Sequence, residues 1–272
     1  MSAINYPLAV ATGMTRIIEA GDGPPVLFVH GLGARADRWR TTVERIGAQG
    51  FRAIAYDLPG HGFASKEAEA PATVPQMSAY LLAVMDALGL DSAVLVGTSL
   101  GAHIVAHAAV RDPARVPGLV LVGALGVLPI AQAVAETIAR NVRVRERELF
   151  SGKLNFVIHD PTMITGAMIE EEWRMNTAPG ATEAFTRLGD YLVHGIAGDY
   201  VAEQLRALYP SDKLLLVWGE EDRAVPLSVG EACQAALGAP LAVIPKANHV
   251  PYWEQPQAFD AAVLPFLKAV RA

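Results

Sequence analysis

Three polar residues far apart in the chain are of types that can together transfer an acyl group. Ser99 stands in Gly97-Thr98-Ser99-Leu100-Gly101, Asp222 in Trp218-Gly219-Glu220-Glu221-Asp222-Arg223, and His249 in Ala247-Asn248-His249-Val250-Pro251. A neutral serine hydroxyl is a weak nucleophile, so it needs a base to take its proton and an acid to orient that base. His249 is the candidate base and Asp222 the candidate acid. Glu220 and Glu221 are rivals for the acid, expected at the rim beside the Gly219 turn. An acyl-transfer oxyanion also needs two aimed backbone N–H donors. Leu100, directly after the serine, is one candidate, and Leu32 in the turn His30-Gly31-Leu32-Gly33 is the other.

These residues need elements that deliver them to one place. The apolar run at 93–96 before Ser99, and the helix-like segment after it, predict a strand–turn–helix that pushes the serine hydroxyl out of a sheet edge. Short apolar runs at 15–19, 26–29, 52–56, 93–96, 119–122, 214–218 and 241–244 read as strands. They alternate with helical patterns at 36–48, 74–88, 100–109, 227–236 and 257–270. Such alternation predicts βαβ units and a mostly parallel sheet flanked by helices, an α/β fold. Gly89 and Asp112-Pro113 are the expected helix stops. Between 127 and 210 the alternation lapses into helical patterns without a strand, which predicts a helical insertion over the carboxyl ends of the strands.

The bulk properties narrow the function classes. A net charge of −6 over 272 residues argues against a general nucleic-acid or anionic-membrane binder. The single cysteine, Cys233, excludes an intramolecular disulfide and a cysteine metal cage. The start, Met1-Ser2-Ala3-Ile4-Asn5, has no basic n-region or apolar core. The uncharged stretch 116–135 is broken by Pro117, Gly118, Gly123, Gly126 and Pro129, so a buried strand and turn are expected there instead of a membrane span. The expectation is a soluble, cytoplasmic protein, its oligomeric state left open.

The other polar motifs have structural readings beside the chemical ones. His30 and His61 are expected to fix their glycine-rich turns by hydrogen bonds, and Asp57 to organise its own turn. His103 and His107 have the spacing of a helical metal pair but no evident third ligand, so no metal is expected. His159 and His194 are pocket or surface residues within the insertion. Arg140, Arg143, Arg145 and Arg147, among Glu136, Glu146 and Glu148, read as a solvated helix face. Trp39, Trp173 and Arg174 are the candidate substrate-binding residues; Arg174 could grip a substrate carboxylate, or simply pair with its neighbouring glutamates.

Together the His30–Gly33 turn, Asp57-Leu58-Pro59-Gly60-His61-Gly62, the Gly97–Gly101 turn, Gly219 with Asp222, and Asn248-His249 resemble the α/β-hydrolase superfamily along nearly the whole chain. The resemblance implies Ser99 as nucleophile, His249 as base, Asp222 as acid, and 127–210 as a cap on a core formed by 1–126 and 211–272. It implies a serine hydrolase of a small or medium, fairly apolar carboxylic ester, with water as co-substrate and no cofactor. Arg174 and His249-x-x-x-Trp253-Glu254 are also similar to the carbon–carbon bond hydrolases of meta-cleavage products. That group carries an aromatic after the histidine, where this chain has Val250. A low-turnover small-molecule receptor is the third reading.

Overall fold

Runs of branched aliphatic residues with no polar break form strands whose two faces must both be covered. The computed structural model describes residues 1–270; Arg271 and Ala272, the end of the expected core segment, lie outside the described residues. The strands are β1 (Ile4–Val10), β2 (Gly13–Ala20), β3 (Pro25–Val29), β4 (Arg52–Tyr56), β5 (Val94–Thr98), β6 (Leu119–Val122), β7 (Leu214–Gly219) and β8 (Leu241–Ile244). They form one sheet in the order β1-β2-β4-β3-β5-β6-β7-β8. From β4 to β8 the neighbours are parallel, while β1 and β2 pair antiparallel at one edge. Seven strands fall where the apolar runs predict them. β1 was not among them, because Pro7 breaks its pattern and most of its residues are exposed; Pro is tolerated there because β1 is an edge strand.

The helices are α1 (Arg40–Gly47), α2 (Val74–Ala87), α3 (Leu100–Arg111), α4 (Gln132–Val142), α5 (Phe150–Val157), α6 (Gly166–Asn176), α7 (Ala181–His194), α8 (Ala202–Leu208), α9 (Leu227–Leu237), α10 (Pro251–Glu254) and α11 (Pro256–Ala269). Alternate strand residues point to opposite faces, so the sheet divides the apolar interior in two. Leu95 and Leu121 join Leu81, Ile104 and Leu237 on the face of α2, α3 and α9. Val94 and Val120 join Val43, Ile46 and Phe259 on the face of α1 and α11. Five helices, α4 to α8, lie between β6 and β7, with no strand among them. Among the described residues, no helix is long and apolar enough to cross a membrane.

The strand order reverses where β3 adjoins both β4 and β5. At such a switch point, loops leave the carboxyl edge in opposite directions and open a crevice. The register pairs Val29 with Gly97 and Thr98 with Val122, so His30, Ser99 and Gly123 emerge side by side. Gly97 and Gly101 let the chain reverse there. A Cβ on Gly101 would lie 2.4 Å from the Val29 carbonyl oxygen and 2.5 Å from that of His30. Gly101→Ala is therefore expected to destabilise the fold by about 3 kcal/mol through overpacking, read as a lowered urea midpoint with an unchanged slope.

Candidate active site

Ser99 caps the start of α3 with φ 56° and ψ −124°, a conformation disfavoured for a side-chain-bearing residue. Its amide donates to the Val122 carbonyl at 2.9 Å. Its own carbonyl accepts from Ala102 at 3.0 Å and from Leu125 at 3.3 Å. The Ser99–Leu100 peptide plane is thereby fixed. Because a trans peptide points its N–H opposite its C=O, the Leu100 amide is aimed away from those partners. As the first residue of α3, Leu100 has no acceptor within the helix.

The second turn is fixed in the same manner. His30 donates from Nδ1 to the Gly31 carbonyl at 2.8 Å, and its Nε2 accepts the Leu58 amide at 2.9 Å. Those two partners define the tautomer. Complete burial pushes the His30 pKa down to about 4, so the ring stays neutral. Ala34 also donates to the Gly31 carbonyl. The Leu32 amide thus faces the other way and has no hydrogen-bond acceptor among the described residues. A Cβ on Gly31 would come within 2.9 Å of the Ser99 Cβ, so this turn lies directly against the serine.

Asp222 follows β7 and is buried, with its side chain wholly shielded from solvent. Its Oδ1 accepts the Ala224 and Val225 amides at 2.9 and 2.8 Å. Its Oδ2 lies 2.8 Å from His249 Nδ1. Two backbone donors hold the carboxylate, and the carboxylate holds the imidazole with Nε2 as its basic nitrogen. Gly123, at the end of β6, packs on this bond; a Cβ there would lie 3.0 Å from His249 Nδ1 and 3.1 Å from Asp222 Oδ2. Glu220 and Glu221 are exposed at the rim. Burial disfavours the His249 imidazolium, but the charge and hydrogen bond of Asp222, with Glu254 beyond, outweigh it and raise the pKa above 6.5.

Ser99 and His249 line one cavity of about 540 Å³. The turn residues Gly31, Leu32 and Gly33 form part of its wall, and α4, α5 and α6 contribute the facing side. A serine and an oriented imidazole on one largely apolar cavity, with the acceptorless Leu32 amide in the turn that lines it and Leu100 directly after the serine, form an arrangement that can attack a carbonyl and hold its oxyanion. Residues 24–256 match the model of the alpha/beta hydrolase fold family. The chain belongs to the α/β-hydrolase family.

Two curated relatives and one solved structure are similar to it. The dihydrolipoyllysine-residue acetyltransferase component of the acetoin cleaving system of Cupriavidus necator is 30% identical over 89% of this chain, which spans 63% of that relative's length. The 2-hydroxymuconate semialdehyde hydrolase of Pseudomonas putida is 27% identical over 97% of this chain and 94% of its own. A meta-cleavage product hydrolase of Pseudomonas fluorescens IP01 shares the fold with a TM-score of 0.83, at 24% identity over 97% of each chain.

The helices between β6 and β7 contact both sides of this site. At the end of α5, three carbonyls that the helix leaves unpaired accept hydrogen bonds, two from the histidine loop and one from Arg223 beside Asp222. Phe156 accepts from Asn248 Nδ2 at 3.0 Å, Val157 from the His249 amide at 3.1 Å, and Ile158 from Arg223 Nη2 at 2.6 Å. From α6, Glu172 is buried between Arg35, at 2.8 Å, and Arg38. Asn176, one turn on, donates to the Gly33 carbonyl at 3.2 Å.

Three expected contact residues miss the cavity. Trp39 is fully buried and stacks on Tyr252 with ring centroids 3.6 Å apart, so Tyr252 forms the wall and Trp39 stands behind it. Trp173 donates from Nε1 to the Arg145 carbonyl. The Arg174 side chain is 71% exposed and pairs with Glu170, four residues earlier. A helix turns about 100° per residue, so Glu172 and Asn176 face inward while Trp173 and Arg174 rotate out. Arg38, Asn141, Lys153, Glu172 and Asn176 are polar wall residues that sequence reasoning passed over. The Glu172 and Asn176 spacing was the available signal.

Three further histidines have structural partners. His61 bonds the Pro59 carbonyl, His103 the Asp199 carbonyl, and His107 the Ser78 hydroxyl. Asp57 accepts the Phe63 and Ala36 amides and pairs with Arg16.

With Asp222 as the main source of the raised His249 pKa, its removal leaves burial opposed only by the weaker pull of Glu254. An NMR titration of the His249 ring is expected to show a midpoint above 6.5 in the wild type and below it in Asp222→Asn. An unchanged midpoint would contradict this electrostatic account.

Proposed function

We propose that the chain is a serine hydrolase cleaving a small or medium, fairly apolar carboxylic ester through an acyl-enzyme. The observation that carries this reading is the Asp222–His249 hydrogen bond on the cavity that Ser99 and Leu32 also line. Ser99 Oγ attacks the ester carbonyl carbon while His249 Nε2 takes its proton. The Leu32 and Leu100 amides receive the oxyanion. Collapse of the tetrahedral intermediate breaks the C–O bond, and the leaving alkoxide takes the proton from His249. Water then attacks the acyl-enzyme, with His249 as base, and releases the acid and Ser99. Every step uses groups of this chain, the substrate and water, and residues 127–210 serve as a cap that keeps bulk water out. A net charge of −6 supports a small-molecule substrate and a cytoplasmic setting over nucleic acid or an anionic membrane.

Carbon–carbon hydrolysis of a vinylogous diketone is the second reading. Similarity to the Pseudomonas putida hydrolase along nearly the whole of both chains favours it. Val250, which lines the cavity where the meta-cleavage group carries an aromatic, weighs for the ester.

Hydrolysis of a short-chain para-nitrophenyl ester tests the choice. Wild type is expected to turn it over. Ser99→Ala should lose about a millionfold in kcat and Asp222→Asn about ten-thousandfold, both folded by circular dichroism. Full activity in Ser99→Ala would refute the nucleophile, while cleavage of the diketone alone would move the assignment to carbon–carbon hydrolysis.

A further inference from the structure

Lys153 lies on α5, in the cavity wall that faces Ser99. Its Nζ sits 4.4 Å from the centroid of the Phe150 ring, itself part of that wall. Among the described residues the ammonium has no carboxylate partner and no hydrogen-bond acceptor. The other charged side chains on the wall are already matched, since Glu172 pairs with Arg38 and with Arg35 behind it. The remaining lining is largely aliphatic, with Leu125, Ile138, Val142, Val144 and Leu149 prominent.

An ammonium held against such a surface loses hydration that an aromatic face replaces only in part. Burial, with Arg145 repelling and Glu172 and Glu146 attracting, brings its pKa down to about 8. Lys153 is also placed to act on a ligand. Val157, one helical turn or about 6 Å further along α5, accepts the His249 amide, so Lys153 stands on the helix that holds the histidine loop. We propose that Lys153 receives an anionic group of the substrate, a carboxylate, so that the site prefers a monoanionic acyl compound such as the half-ester of a dicarboxylic acid to a neutral ester of equal length. The bound carboxylate supplies the partner that the fold withholds, and the apolar wall between Lys153 and Ser99 takes the intervening methylenes. This deepens the ester reading and rests on Ser99 as nucleophile. The structural alternative is a lysine stem that covers apolar surface and sends its head to water.

Two assays separate the possibilities. The first compares kcat/KM for para-nitrophenyl hydrogen adipate and para-nitrophenyl hexanoate, and for para-carboxyphenyl and para-carbamoylphenyl butanoate. These pairs place the anion on the acyl or on the alcohol side. In the acyl-side pair the anionic-to-neutral ratio should fall about tenfold or more in Lys153→Met, mainly through KM, with Lys153→Arg retaining most of it, while the alcohol-side pair should not respond. The second measures, by calorimetry and without turnover, binding of N-methyladipamic acid against N-methylhexanamide. The acid should bind about tenfold more tightly to wild type, and Lys153→Met should abolish the difference. Equal binding of the two amides by wild type, or ratios that survive in Lys153→Met, would overturn the proposal. Anion-selective binding without ester turnover would uphold Lys153 and count instead against the ester reading.

Discussion

The backbone reversal at Ser99 is the constraint on which the rest of this site depends. A residue with a Cβ at φ 56° costs energy that neighbouring structure must offset. Gly97 and Gly101 make the offset possible by letting α3 close on β5 and β3, where a Cβ at Gly97 would lie 2.3 Å from the Gly101 carbonyl oxygen. The reversal then does two things at once. It projects the serine side chain into the crevice at the sheet's switch point, and it turns the Leu100 amide free of acceptors. The His30 turn repeats the device on the neighbouring strand, since both peptide planes are fixed through their carbonyls and leave an N–H unspent. Preorganised donors of this type need no rearrangement when charge develops.

The second layer of the design is the way the insertion is anchored. Its α5 ends on the histidine loop and its α6 ends on the oxyanion-side turn, so one set of helices contacts both halves of the candidate machinery. The α5 contacts satisfy helix-terminal carbonyls that would otherwise go unpaired in a partly buried setting. The α6 contact is ionic, with the Glu172 carboxylate shared by two guanidinium groups and Arg35 continuing to Asp37, Arg16 and Asp57. This chain of pairs joins the insertion to the turns after β3 and β4. The same helices supply one side of the cavity lining.

Much of this was legible in the sequence because it rests on local rules. The glycines around Ser99, the aliphatic runs, and the position of Asp222 and His249 after successive strands all follow from chain-local chemistry, and the structure brings Asp222 and His249 into contact. What stayed hidden depends on rotation and docking. Trp173 and Arg174 are candidates by residue type, the arginine for a substrate carboxylate, but only the phase of α6 decides that Glu172 and Asn176 face the core. Trp39 looked like a pocket wall until Tyr252, more than two hundred residues away, filled that place. Lys153 carries no motif, and its interest comes from the partner it lacks. β1 escaped notice since an exposed edge strand with a proline leaves little periodic signal.

The central claim is that Ser99, and no other residue, forms the bond to the acyl group. Rapid acid quench after mixing with an activated ester, followed by peptide mapping with mass spectrometry, tests it directly. The account predicts a mass gain equal to the acyl group on Ser99 alone, which decays as product appears and is missing in Ser99→Ala. Turnover with no adduct on Ser99, or an adduct on another residue formed at the same rate as product, would contradict it.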